Sequence, residues 1–438
     1  MKKFLTSFSQ IKFVRDIATM QIGQIVTTGS GFLASILFAR LLGLQGYGVY
    51  AIVLAFTGLL GFITNLGQQT TALTFFAEAY GKKDTTRMKE VLHYYLFLSA
   101  CSALIMALLI PFLPWITDVM YGKPEIGALA RIIFISSIVD PLFVFGSIVL
   151  QSVREIRKLT IIENSRIVVQ LGLSVLFLLQ GKGVEGVLLG TLYGTALMSV
   201  ISLLMYSSIR SKYNLPSLIE IIGIRKLSHV WSLGKDGVWI AIDKNVGNLY
   251  PNLFLVVLGM FVQESVVGLF RLAFKLGNLP ASFVLSNISR LSASVIPTLS
   301  SSGAGLKKSI VKLATYSSLI HVGATVGALL VVPPLIPLVY GADFSVAVYP
   351  FIVIAILHTT SVIHILITPI LRLYSRIYIA TTFNLVGLTC SLGAFFTLMS
   401  YTKITFALYI ALGIYHFIII LLIIPTYRIV RLNRTLQR

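Results

Sequence analysis

Seven residues between positions 271 and 294 could do chemistry together. Arg271, Lys275, Asn278, Ser282, Ser286, Arg290 and Ser294 follow one another at steps of three or four, the spacing that keeps side chains on one face of a helix. Such a face carries two guanidiniums and an ammonium, groups whose donors match phosphate or carboxylate oxygens. Lys244 adds a further cation upstream. Asp236 and Asp243, seven residues apart, share a helix face and can partly neutralise these cations. Asp140, beside Pro141, is one more acid set in an apolar run.

Each of these groups also has a plainer reading. Asp243 and Lys244 can form a structural salt bridge, since buried pairs are common in helical membrane proteins. Arg40 and Arg131 lie near the ends of apolar runs and are expected to snorkel to the interface. His321, His358 and His364 could relay protons, but a hydrogen-bonded helix histidine is the simpler expectation for each. Further polar stripes, Gln21-Gln24-Thr28-Gly31-Ser35, Thr57-Gly61-Thr64-Gln68-Thr71 and His358-Ser361-His364-Thr368, are of the kind that mediates close helix packing.

Nothing points to the chemistry of a soluble enzyme. The sequence holds no phosphate-binding loop ending in Gly-Lys-Ser/Thr, no HExxH and no Cys/His cluster at metal spacing. No catalytic group, metal or cofactor is therefore expected. Cys101 and Cys390 both sit inside apolar runs and are expected to be buried thiols.

The elements that position these residues follow from composition. Of 438 residues 56% are hydrophobic and 11% charged, against about 25% charged in soluble domains. Mean hydropathy is +0.90, so the surface itself must face lipid. A crossing needs about 20 mostly apolar residues. Such runs lie near 17–41, 47–79, 91–115, 127–151, 160–180, 184–207, 231–258, 264–300, 309–339, 346–371, 376–400 and 404–427. The second and eighth are long enough to protrude or tilt. The fifth and sixth are separated by a turn at Gly181 and Gly183. The N-terminal stretch through Arg15 has no apolar core of signal-peptide length, so the first span is read as retained.

Lys and Arg test this count. Alternate connections hold Lys2, Lys3, Lys12 and Arg15; Lys82, Lys83, Arg87 and Lys89; Arg154, Arg157, Lys158 and Arg166; Arg210, Lys212, Arg225, Lys226 and Lys235; Lys307, Lys308 and Lys312; Arg372 and Arg376; and Arg428, Arg431, Arg434 and Arg438. The intervening connections hold only Lys123, Lys182 and Lys403. This alternation places both termini in the cytoplasm. The net charge of +20 is thus topology, not a sign of nucleic acid.

The chain also repeats itself. Pro114, Tyr121, Gly122 and Arg157 fall on Pro333, Tyr340, Gly341 and Arg376 at one constant offset, with Asn164 falling on Asn384 one residue further along. Earlier, Gly43 and Gly48 parallel Gly259 and Gly268. The expected fold is all-α and polytopic, with about twelve transmembrane helices in two six-helix lobes related by a parallel pseudo-two-fold. The lobes are drawn at 1–212 and 231–438, joined by a cytoplasmic linker, 213–230. Parallel lobes suggest a transporter that rocks its halves about a site between them. At about 1.5 Å per residue, Lys244, Arg271 and Lys275 would converge in the outer half of one cavity.

Several segments carry a family resemblance. LLGLQGYGVYA from Leu41, Leu66-Gly67 and FFAEAYGKKD from Phe75, with VGLFRLAFKL from Val267 and PLVYGADF from Pro337, resemble the Wzx-type polysaccharide flippases. Their superfamily also contains multidrug and toxin extruders and lipid II flippases. The resemblance covers nearly the whole chain and implies alternating-access export of an undecaprenyl-pyrophosphate-linked oligosaccharide, of O-antigen type, across the cytoplasmic membrane. The partners it implies are the lipid-linked oligosaccharide, membrane lipid and polysaccharide-assembly proteins. Lys244, Arg271 and Lys275 would then engage the diphosphate or acidic sugars, and Arg290 would meet the cargo from the cytoplasmic side. Asp140, Asp236 and Asp243 would serve ion coupling or gating. A cation-coupled drug extruder using one of these acids is the alternative within transport. A membrane-embedded polymerase or transferase is the alternative outside it, but would need a long outer loop, which the span pattern lacks. Lipid II flippases usually have two more C-terminal spans than are counted here.

Overall fold

The structure, a computed structural model, describes residues 2–64, 67–224, 228–282, 306–373, 376 and 378–435. Among these the regular elements are all helices. Among the described residues nine helical segments are long and apolar enough to cross a membrane. The first of them, Thr19–Gly61, has 43 residues; at 1.5 Å per residue it is about 64 Å long, twice a hydrocarbon core of about 30 Å. It therefore supplies two crossing lengths, the first and second of the expected spans.

The break between them is at Gly43. Helix α1 (Lys2–Thr64) has non-helical dihedrals at this residue, φ 67° and ψ 179°, a region essentially reserved for glycine. The expected second span, 47–79, does not run through. It is interrupted at Gly67, left-handed at φ 72°, from which α2 (Gln68–Gly81) begins.

The chain divides into two compact units, Met1–Ile242 and Asp243–Arg438. In the first, α3 (Thr85–Leu109) starts from Asp84, whose carboxylate accepts from the Arg87 amide at 2.9 Å and so satisfies one of the helix's orphan donors. A short α4 (Leu113–Tyr121) leads to α5 (Pro124–Ser152), α6 (Ile156–Leu179) and α7 (Gly183–Arg210). Small residues set the spacing between them. A Cβ on Gly146 would come within 2.1 Å of the Ser202 hydroxyl, and one on Gly190 within 2.2 Å of the Ser174 amide. The core is aromatic: Tyr95 and Tyr206 flank Phe145, with Tyr206 edge-on at 4.9 Å. A five-residue α8 (Leu218–Ile222) follows, and α9 (Ser228–Phe261) carries the boundary between the units.

The second unit continues with α10 (Glu264–Gly277), α11 (Leu306–Tyr340), α12 (Val348–Leu357), α13 (Ser361–Leu373), α14 (Tyr378–Leu398), α15 (Ile404–Leu421) and α16 (Ile423–Thr435). A 3-10 turn at His358–Thr360 separates α12 from α13. Gly277 lets α10 close onto α12, since a Cβ there would lie 2.8 Å from Ile354. Tyr250 of α9 stacks on Tyr415 of α15 with ring centroids 4.0 Å apart.

The repeat appears as a turn used twice. Both α4 and α11 end in a tyrosine followed by a glycine at positive φ, 64° at Gly122 and 113° at Gly341. The Gly43–Gly259 pairing has no such counterpart, because Gly259 lies within α9. The expected eighth span, 264–300, breaks at Asn278. Pro280, two residues on, cannot donate to the ladder and disfavours helix just before itself. The cysteines also depart from expectation: Cys101 is half-buried and Cys390 exposed. An apolar setting therefore did not mean burial.

Candidate functional site

The polar face at 271–294 survives in the folded chain as far as the described residues reach. On α10, residues 267–270, 272–274, 276 and 277 are buried, whereas Arg271 and Lys275 remain half-buried and Asn278 exposed. Ser282, beyond the break, is half-buried on the following turn, where its amide bonds the Asn278 carbonyl at 2.9 Å. The stripe thus bends at Asn278 instead of running straight. Arg271 and Lys275 stand on successive turns, about 6 Å apart along the axis. Like charges at this spacing repel, and an anion placed over both would relieve the repulsion.

The other expected members are placed only in part. Lys244, Asp236 and Asp243 lie on α9; their side chains are outside the described part of the chain. Ser286, Arg290 and Ser294 lie outside the described residues.

The first unit holds an ion pair that the sequence reading divided. Asp140 of α5 pairs with Arg166 of α6 at 2.6 Å, the two side chains 34% and 24% exposed, and the guanidinium lies 4.6 Å over the Phe143 ring. The alternation of Lys and Arg groups Arg166 with the cytoplasmic cations. The expected span 160–180 already contains it, and in the structure it lies on α6, ten residues and about 15 Å beyond Ile156. Its signal was present in the sequence, because Glu163, Arg166 and Gln170 share a helix face. Gln170 donates to Thr195 at 2.8 Å, and Ser136 donates to the same hydroxyl at 3.1 Å. A polar seam therefore joins α5, α6 and α7. Tyr95 donates to the Pro141 carbonyl at 2.9 Å beside it. Arg131 bonds the carbonyls of Ile110 and Pro111 at 3.2 and 3.3 Å, so it caps the end of α3.

A groove of about 690 Å³ runs between α1 and α6, walled by Ile22, Val26, Ile161, Val168 and Val169, with Arg157 at one end. Thr27 donates to Asn164 across it at 2.9 Å. Asn164's repeat partner, Asn384, instead accepts from Tyr415 at 2.9 Å.

In the second unit His321 is hydrogen-bonded, as expected, whereas the His358 ring packs against Tyr250, Phe274 and His416 with its Nδ1 unpartnered; the His364 side chain is not among the described ones. His321 donates to the His358 carbonyl at 3.3 Å, and Ser361 donates to the same carbonyl at 2.6 Å. His416, which the sequence reading did not single out, lies between Tyr250 at 2.9 Å and Thr360 at 2.6 Å. Its signal was a lone polar residue next to Tyr415 in an otherwise apolar run.

Outside the spans, charge is paired locally. Lys212 and Tyr213 both bond Glu155; the tyrosine hydroxyl first, then the ammonium, holds this carboxyl below the usual carboxylate range. Glu220 of α8 is likewise held low by Lys89, 2.6 Å away, and by Ser217. Among the described residues no group of three metal-ligating side chains is found.

Residues 37–349 match a family model described as polysaccharide biosynthesis protein. No curated protein matches the sequence. Solved structures of similar fold include an inward-facing multidrug resistance MATE family transporter of the MOP superfamily, with a TM-score of 0.76 at 15% identity, covering 96% of this chain and 99% of that one. An outward-facing structure of such a transporter gives 0.63 at 15% identity over 96% of each chain. A MATE structure in complex with MaL6 gives 0.68 at 17% identity over 97% of each chain. At these identities the likeness is one of fold.

Proposed function

As the chain belongs to the polysaccharide biosynthesis protein family, a Wzx-like family of multi-pass transporters in the MOP superfamily, we propose that it flips undecaprenyl-pyrophosphate-linked oligosaccharide across the cytoplasmic membrane by alternating access. The observation that carries this reading is the α10 face. Two cations on successive turns stay half-buried on a helix whose other residues, from 267 to 277, are buried. Ionisable groups at membrane depth cost several kcal/mol unless paired or hydrated, and so mark function by default. A diphosphate offers the paired, charge-assisted hydrogen bonds that such a face can make. Asn278 and Ser282 offer partners for sugar hydroxyls on the same face.

In this reading Arg271 and Lys275 hold the diphosphate or acidic sugars. Lys244 extends that site from α9, and Arg290 meets cargo on the cytoplasmic side. Asp140, Asp236 and Asp243 serve coupling or gating. The groove between α1 and α6 has apolar walls suited to a prenyl chain, with Arg157 at its end for a phosphate. Both termini lie in the cytoplasm, and polysaccharide-assembly proteins act on either side of the step. No nucleotide-binding loop is present in the sequence, so in this reading the energy comes from an ion gradient, from a partner or from the cargo's own gradient.

Deleting the gene should trap the lipid-linked repeat unit on the cytoplasmic leaflet. Arg271→Ala or Lys275→Ala, inserted normally, should then fail to relieve it. Losing one hydrogen bond to a charged group costs about 1.5–3 kcal/mol, roughly a tenfold to hundredfold loss of flux. If no intermediate accumulates, or if both variants complement while Asp243→Asn abolishes export of a cationic dye, the flippase reading fails and an extruder takes its place.

A further inference from the structure

Histidines from three elements meet at one interruption of a membrane span. The apolar stretch Ala342–Thr368 is broken between α12 and α13 by the 3-10 turn His358–Thr360, and such turns inside helices often mark hinges. On one side, His321 of α11, 1% exposed, reaches the His358 carbonyl through Nε2. On the other, His416 of α15 bonds Thr360 through Nδ1 and Tyr250 through Nε2. Tyr250 directly precedes Pro251, a proline inside α9, where the helix lacks one ladder bond.

The protons on these rings can be assigned from their partners. Thr360 has one hydroxyl proton and donates it to the Leu357 carbonyl at 2.9 Å. It must therefore accept from His416 Nδ1–H, which leaves Nε2 to accept from the Tyr250 hydroxyl. His416 is a neutral imidazole with both nitrogens in use. His321 differs. A carbonyl only accepts, so Nε2 carries the hydrogen toward the His358 carbonyl, with the Pro280 carbonyl also beside the ring, and the lone pair of the buried Nδ1 makes no hydrogen bond of its own.

That lone pair is where a proton can add. An N–H bond forms at Nδ1, no bond breaks, and imidazole becomes imidazolium. The product is a charge in a site built for a neutral ring, and among the described residues no carboxylate bonds it. His358 and Thr360 stand on the adjoining 3-10 turn; beyond them, against His358 and Thr360, lie His416 of α15 and Tyr250 of α9, with Tyr415 stacked on Tyr250, and Asp243 lies two turns before Tyr250. Arg271 and Lys275 lie on α10, which packs on α12, and Asp343 lies on the 3-10 turn that packs on α11. Arg271 and Lys275 oppose a new positive charge. The protonated form therefore favours a conformation in which His321 leaves the His358 carbonyl and meets water or an acid. A ligand shifts an equilibrium by its differential affinity for the two states, and here the ligand is a proton.

We propose that Nδ1 of His321 is a proton-binding site of the C-terminal unit, and that its occupation releases the His358–Thr360 hinge. The site gives the proposed transport a coupling ion; it rests on that reading for its use, not for its existence.

The test needs no cargo. The purified chain in lipid nanodiscs is followed by hydrogen–deuterium exchange at the peptides spanning 356–362, corrected for intrinsic rates, from about pH 8 to about pH 5, the range in which histidine changes charge. Wild type should show a reversible rise in exchange on acidification, roughly tenfold for a full shift of about 1.4 kcal/mol. His321→Gln keeps a donor for the His358 carbonyl but takes up no proton, and should hold exchange low at every pH. His321→Ala should exchange fast at every pH because the hold itself is gone. A His321→Gln protein that keeps the wild-type pH response, or a response abolished by His416→Gln and not by His321→Gln, overturns the proposal. Either result leaves the flippase assay standing on its own.

Discussion

At the scale of single residues, the Asp140–Arg166 pair separates a charge kept for stability from one kept for transport. Its partners are 2.6 Å apart and about a quarter to a third exposed. The attraction is thus screened less than on a surface and more than in a dry core. Removing one partner leaves the other uncompensated at membrane depth, whereas removing both leaves two neutral groups. Asp140→Asn and Arg166→Met should each lower thermal stability by about 2 kcal/mol, and the double variant should recover most of the loss, as read from melting of the purified protein. If the double variant is stable but export is dead, the pair couples or gates. If export survives, it is structural. Sequence alone could supply Asp140 as a candidate but not its partner, because positive-inside counting sorts cations by proximity to span ends. Arg166 lies within reach of such an end in sequence while facing a neighbouring helix in the fold.

At the scale of elements, apolar run length gave most helices to within a few residues: α5, α6 and α7 occupy Pro124–Ser152, Ile156–Leu179 and Gly183–Arg210, where runs at 127–151, 160–180 and 184–207 were expected. The breaks inside runs were harder to read, since they depend on one residue's backbone and not on hydropathy. Gly43 is the clearest. At φ 67° and ψ 179° an alanine is strained by about 1–3 kcal/mol. Gly43→Ala should therefore lower the yield of folded protein and its melting temperature. Gly29→Ala, inside the same helix with open space around its Cβ position, should be neutral or mildly stabilising through helix propensity. Equal behaviour of the two variants would show that the break at Gly43 is not imposed by its dihedrals. The α10 stripe was legible because its period is that of the helix. Its bend at Asn278 was also foreshadowed by Pro280, which a purely apolar reading of 264–300 passed over.

At the scale of the whole molecule, the expected topology hangs on parity. If α1 supplies two crossings, separated at Gly43, the connection after α2 that carries Lys82 and Lys83 returns to the side of the N-terminus. If α1 crosses once, every later loop is inverted. The distribution of Lys and Arg supports the first, because only Lys123, Lys182 and Lys403 fall on the sparse side and translocation disfavours clustered cations. The twice-used turns at Gly122 and Gly341 agree, since a parallel repeat needs an even number of crossings per half. The prediction is direct. In a chain with Cys101 and Cys390 replaced by serine, Lys182→Cys and Lys403→Cys should react with a membrane-impermeant maleimide in intact cells. Lys83→Cys should react only after permeabilisation. The reverse pattern would mean that α1 crosses once, would invert the side from which Arg290 is proposed to meet cargo, and would break the even repeat on which the two-lobed reading depends.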